Sequence, residues 1–168
     1  MKTLTYYLKL AEGGNAAAAY EAAKIMYCEK YNDVIVQSTL RKAAALGSVD
    51  AQRWLGFICL AGKQVSPGST ASNIQYTADL REAYTWFERA AAQGDTLSAF
   101  AVYKCLQHGI GIHQDTEKAD AILEAIAGHL DYDVLPLMFF FDTYKDSEQA
   151  APTIHPLERN ALLELLAS

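Results

Sequence analysis

Four histidines and three cysteines are the side chains of this sequence best suited to metal binding or nucleophilic attack. A structural or catalytic zinc site needs ligands at a spacing that the backbone turns into fixed geometry. His108 and His113 instead flank Gly109-Ile110-Gly111, and His129 and His155 stand apart, so they compose no ligand set. A reactive thiol needs a base or a positive field beside it. No such neighbour is identifiable for Cys28, Cys59 or Cys105, and the last two fall on apolar columns where a free thiol behaves as a small hydrophobe. Gly109-Ile110-Gly111 is a short match to phosphate-cradling loops, but a turn between two helices explains it. Neither a nucleophile elbow nor a paired-carboxylate motif is present. The expectation is a chain with no cofactor, no metal and no catalytic residue. A hydrolase-type enzyme whose site is assembled from distant residues is the competing reading.

A second set of residues suits recognition rather than reaction. Tyr20 and Lys24, Arg53 and Phe57, Phe100 and Lys104, and Pro136 and Phe140 recur as pairs four residues apart. At that spacing each pair stacks one helical turn apart on one side of a helix. Aromatic residues and arginine are common anchors of protein interfaces. Tyr20, Lys24, Arg53, Phe57, Phe100, Lys104 and Phe140 are therefore the expected partner-binding residues. The alternative for each is packing between units.

The elements that would carry these pairs are repeats. LKLAEGGNAAAAYEAAKIMY from Leu8, RKAAALGSVDAQRWLGFICL from Arg41 and ERAAAQGDTLSAFAVYKCLQ from Glu88 share an Ala-rich run, a glycine, a few small or polar residues and a second apolar run. Alignment on Gly14, Gly47 and Gly94 gives spacings of 33 and 47, and a degenerate fourth copy starts near Leu130, 36 residues further on. Against a 36-residue unit, the clipped CEKYND (28–33) and the extended GKQVSPGSTASNIQYTAD (62–79) absorb the irregularity between helices. Core columns follow at a 3.6-residue period: Ala18, Ala22, Ile25 and Met26; Ala51, Leu55, Ile58 and Cys59; Ser98, Val102, Cys105 and Leu106. The alternate helices carry Val36, Leu40, Ala43 and Ala44; Ala83, Phe87, Ala90 and Ala91; Ala119, Leu123, Ile126 and Ala127.

These columns predict an all-α solenoid of about nine helices without any sheet. Its units span about 5–31, 32–62, 79–112 and 115–145 in one domain, 1–168. Asp79 and Asp115 are expected N-caps, and Gly47 and Gly94 close their helices. Residues 62–78 form the one long loop, expected to be irregular. Pro156 opens a last helix, 155–167, expected to cap the apolar end of the final unit.

The strings RKAAALGSVDAQRWLG, DLREAYTWFERAAAQGD and HGIGIHQDTEKA resemble the Sel-one-like repeat family, tetratricopeptide-related helix pairs, over roughly residues 5–142. The resemblance implies a right-handed superhelix with the Ala18-, Ala51- and Ser98-type helices on its concave side. It also implies adaptor, scaffold or partner-binding work, often in bacterial signalling, envelope or secretion systems. The first unit lacks the Gly-x-Gly loop, and Ala23 and Tyr103 stand where Gly56 carries the family's usual glycine. A cysteine-rich branch of the family pairs two cysteines within each repeat. Here Cys28, Cys59 and Cys105 are each alone in their unit, so those disulfides are not expected.

Composition agrees with this reading. Hydrophobic residues make up 51% and charged residues 20% of 168 residues, and the formal net charge is -6. A surface of that sign repels nucleic-acid phosphates and anionic lipid headgroups, so neither is an expected partner. No apolar run reaches transmembrane length, and no export signal opens the chain, so a cytoplasmic location is expected. The function expected is protein–protein interaction, as an adaptor, chaperone or toxin-immunity protein gripping a partner protein or peptide on its concave face. A homo-oligomeric scaffold is a further alternative, and the oligomeric state is left open.

Overall fold

In the computed structural model the described residues are 3–64, 76–77, 79–130 and 141. They form seven α-helices: α1 (Leu4–Glu12), α2 (Ala16–Cys28), α3 (Asp33–Ala45), α4 (Val49–Ala61), α5 (Leu80–Ala91), α6 (Thr96–His108) and α7 (Thr116–Ile126). A 3-10 turn, Ala127–His129, follows α7. The expected total was about nine. The two helices expected beyond Leu130, including the capping helix 155–167, lie outside the described residues. Each helix packs chiefly on the one before it and the one after it, as a quasi-linear solenoid requires.

One segment departs from the sheet-free expectation. Lys63–Gln64 (β1) pairs antiparallel with Tyr76–Thr77 (β2), placing Lys63 opposite Thr77 and Gln64 opposite Tyr76. The long α4–α5 connection thus begins and ends as a two-residue ladder that brings its ends together. Its expected irregular middle, 65–75, lies outside the described residues. The chain then rejoins the solenoid where the Asp79 amide donates to the Cys59 carbonyl at 2.8 Å. In the next unit the Asp115 amide donates to the Leu106 carbonyl in the same way, at 3.0 Å. Cys59 and Leu106 occupy one core column, so connections of very different length return to the same anchor point.

The tight junctions repeat a single device. After α1, α3 and α5 the chain turns through Gly14, Gly47 and Gly94, with φ of +86°, +95° and +91°. Side chains other than glycine seldom enter that region, and here it allows two hydrogen bonds that close the helix. At the second junction the Ser48 amide donates to Ala43 at 3.0 Å and the Gly47 amide to Ala44 at 3.1 Å. The residue after each glycine then caps the next helix: Asn15 accepts from the Ala18 amide, Ser48 from Ala51 and Asp95 from Ser98. One residue therefore ends one helix with its amide and starts the next with its side chain. The expected caps Asp79 and Asp115 also form, accepting from Glu82 and Lys118.

Packing follows the columns. Ala51, Leu55, Ile58 and Cys59 on α4 and Ser98, Val102, Cys105 and Leu106 on α6 are all buried. Small residues bring helices close: a Cβ on Gly56 would lie 2.5 Å from the Phe87 ring, so α4 meets α5 there without a side chain between them. The buried Gln52 amide donates to the Ala44 carbonyl at 3.1 Å and its oxygen accepts from Gln93 at 2.7 Å. It thereby links the ends of α3 and α5. Phe141, fully buried, belongs to the same core.

Candidate partner-binding surface

The expected recognition pairs sit on α2, α4 and α6, and their surroundings differ from unit to unit. On α2 the Tyr20 ring is half-buried and meets Trp54 of α4 edge to face, with centroids 5.9 Å apart. Tyr27, two turns further on, meets the same indole at 5.4 Å. Lys24 lies over Tyr20 with its ammonium 5.8 Å from the ring centre. Burial, followed by the nearby Asp50 charge, pushes the Tyr20 phenol up to about 12. It stays protonated at physiological pH as a neutral hydrogen-bonding head on an apolar ring.

Arg53 is not an unopposed cation. Its guanidinium spans Asp50, one turn earlier on α4, and Asp95 at the start of α6, at 2.5 Å to each. The side chain is 21% exposed and the Asp95 carboxylate 11%. Two carboxylates thus face Arg53, one of the expected partner-binding residues. The sequence carried a signal for both acids. Asp50 stands at the i−3 position, and Asp95 follows Gly94 where Ser48 follows Gly47.

Phe57 and Phe100 are corrections of another kind. Phe57 is fully buried and meets Phe87 edge to face at 4.8 Å, so it joins α4 to α5 instead of facing a partner. Phe100 is buried too, its ring 5.6 Å from Tyr103. Lys104 stacks over both rings, at 5.9 and 5.4 Å, and is only 8% exposed. The expected one-turn pairing of aromatic and cation thus forms for Tyr20–Lys24 and Phe100–Lys104, and not for Arg53–Phe57. Every residue of α4 from Trp54 to Ala61 is buried. A helix apolar around its whole circumference is buried on all sides, and the run WLGFICLA is the signal for it. Pro136 and Phe140 lie outside the described residues.

The possible reaction centres are dispersed. His113 and His129 are exposed, His108 is partly exposed at the end of α6, and His155 lies outside the described residues. Among the described residues no group of three metal-ligating side chains is found. Cys59 and Cys105 are buried and Cys28 is exposed, and none of the three is in a disulfide. Burial pushes the Cys105 thiol up to about 12, the opposite of the shift that activates a nucleophile. Among the described residues no helix is long and apolar enough to cross a membrane.

Known structures share this architecture. A Sel1 repeat protein from Oxalobacter formigenes superimposes with a TM-score of 0.64 at 22% identity, over 86% of this chain and 98% of its own. A protective antigen present in uropathogenic Escherichia coli strains, displaying an SLR fold, superimposes with a TM-score of 0.59 at 22% identity. That match covers 98% of this chain, which spans only 31% of the antigen. No family model and no curated protein matches the sequence. At this level of identity the comparison concerns architecture, and the chain has the Sel1-like repeat fold.

Proposed function

We propose that this Sel1-like solenoid is a protein-interaction module whose partner docks on its inner, concave face beside Tyr20. The observation that carries the reading is the setting of that residue: a half-buried ring braced by Trp54, overlaid by Lys24 and adjoining the Arg53–Asp50 pair. A braced aromatic loses little conformational freedom on binding, which favours it as an anchor. Tyr20, Lys24 and Arg53 form the contact surface in this reading. Phe57, Phe100 and Lys104 hold the wall behind it. Adaptor, chaperone and toxin-immunity roles in a bacterial cytoplasm all use such a surface. The enzyme reading draws no support from Tyr20, Tyr84 or Cys105, whose displaced pKa values hold each of them protonated.

Capture of the partner by affinity purification, followed by binding measurements on Tyr20→Ala and Lys24→Glu, tests the proposal. Truncating an anchor of this kind typically costs about 2 kcal/mol or more. Full affinity in both variants, with helical content unchanged by circular dichroism, would move the interface away from α2.

A further inference from the structure

A second surface lies where the start of α5 meets the α6–α7 connection. Two adjoining depressions there, of about 750 and 540 Å³, share Tyr84, Ile112 and His113 as lining. Volumes of this size accommodate a few side chains of a bound peptide. The connection that forms the rim is tied down at several points. Ile110 is buried in the core, the Gln114 side chain donates to the Gln107 carbonyl at 2.8 Å, and the Asp115 amide is bound to Leu106. At Gly111 the backbone presses so closely on α5 that a Cβ would lie 2.0 Å from the Leu80 carbonyl oxygen. Between these fixed points Ile112 is 38% exposed. An apolar side chain held out of the core by an anchored loop offers a contact at small entropic cost.

Charge decides what would settle there. The chain as a whole is acidic, with a net charge of -6, yet among the described residues the larger depression is lined by Arg81 and His113 and by no carboxylate. Arg81 is exposed and makes no ion pair with any described residue. In the smaller depression the Asp115 carboxylate is already engaged in capping α7, and Lys118 lines it along with Glu117.

We propose that this surface docks a short acidic segment of another protein, an apolar side chain resting on Ile112 and a neighbouring carboxylate meeting Arg81. It is separate from the Tyr20 surface, so either can hold without the other. The test is a titration of the isotope-labelled full chain, followed by NMR, with acetyl-Gly-Leu-Glu-Glu-Gly-amide at millimolar concentration. Acetyl-Gly-Leu-Gln-Gln-Gly-amide is the uncharged control. The acidic peptide should shift the amides of Thr85, Gly111 and Ile112, and bind at least about fivefold more weakly to Arg81→Glu and Ile112→Ser. Absence of shifts at these amides, equal affinity for the uncharged peptide, or undiminished binding to Arg81→Glu would overturn the proposal. Both substituted positions are exposed, and circular dichroism checks that each variant folds. Arg81→Gln replaces Arg81→Glu, with the same expectation, if the charge reversal perturbs the fold.

Discussion

The Asp95 carboxylate joins two repeat units by dividing its oxygens: Oδ1 meets Arg53 of α4 at 2.5 Å, while Oδ2 accepts the Ser98 amide of α6 at 2.9 Å. The cap and the ion pair are separable by substitution. Asp95→Asn keeps an oxygen for the cap and removes the charge, whereas Asp95→Ala removes both. Arg53 retains Asp50 in either case, so the lost charge should cost below about 1 kcal/mol. Loss of the cap adds about 1 kcal/mol. Urea unfolding at neutral pH should rank wild type above Asp95→Asn and Asp95→Asn above Asp95→Ala. Equal midpoints for the two variants would show that the cap contributes nothing.

Gly56 and Phe87 form a close contact between α4 and α5. Gly56→Ala forces a methyl to within 2.5–2.9 Å of the Phe87 ring, and overpacking of this kind costs about 1–3 kcal/mol. Phe87→Leu removes the obstructing ring edge at the expense of the Phe57 contact. The combined variant should therefore be more stable than the sum of the two losses predicts, by about 0.5–3 kcal/mol. Strict additivity in a double-mutant cycle would mean that α4 and α5 simply move apart.

The two contacts also show what the sequence made legible. Helical period identified the buried side of α4, where Ala51, Leu55, Ile58 and Cys59 are buried as read, whereas Ala127, read onto the last column, is exposed in the turn after α7. The Gly–cap junctions were equally readable, because Gly47-Ser48 and Gly94-Asp95 announce a left-handed turn and a capping side chain. Positions two and six residues after each first core residue were harder. Period alone places Phe57 and Phe100 opposite the core, whereas a solenoid helix has neighbours on more than one side and buries them. The charge on Arg53 was read without its partners, since Asp95 is 42 residues distant and reaches it only through the fold.

Gly109 and Gly111 both have positive φ, +71° and +70°, but meet different surroundings. A Cβ at Gly109 would find its nearest neighbours at 3.6 Å, an ordinary contact. Gly109→Ala should therefore cost only the backbone strain, about 1–3 kcal/mol. At Gly111 the same methyl collides with the Leu80 carbonyl, and the neighbour is backbone that cannot rotate aside. Gly111→Ala should be clearly the more destabilising of the two in thermal unfolding, with hydrogen exchange accelerated at the start of α5. Equal losses would show that the α6–α7 connection is free to lift off α5.

Stability should fall in alkali, through groups that the fold holds protonated. Burial pushes the Cys105 thiol from its ordinary 9.0 up to about 12. The Tyr20 phenol rises from 10.0 to about 12, chiefly by burial and then by the Asp50 charge. Tyr84 makes the same rise, by burial and then by donating to Glu88 at 3.1 Å. In each case the folded chain keeps a proton that the unfolded chain releases at lower pH. Their contribution is complete below pH 9 and diminishes as pH climbs from about 9 to 12. Other groups titrate in that range, so the slope must be assigned by substitution. Tyr20→Phe combined with Tyr84→Phe keeps both rings and removes both phenols. Urea midpoints measured across the window should decline less steeply for this variant than for wild type. Native Cys105 should also resist a water-soluble thiol reagent at pH 8, where the exposed Cys28 reacts. Identical slopes in the two chains would mean that both phenols ionise as freely in the folded state as in the unfolded one, and that the packing around Tyr20 is looser than its contacts with Trp54 and Lys24 indicate.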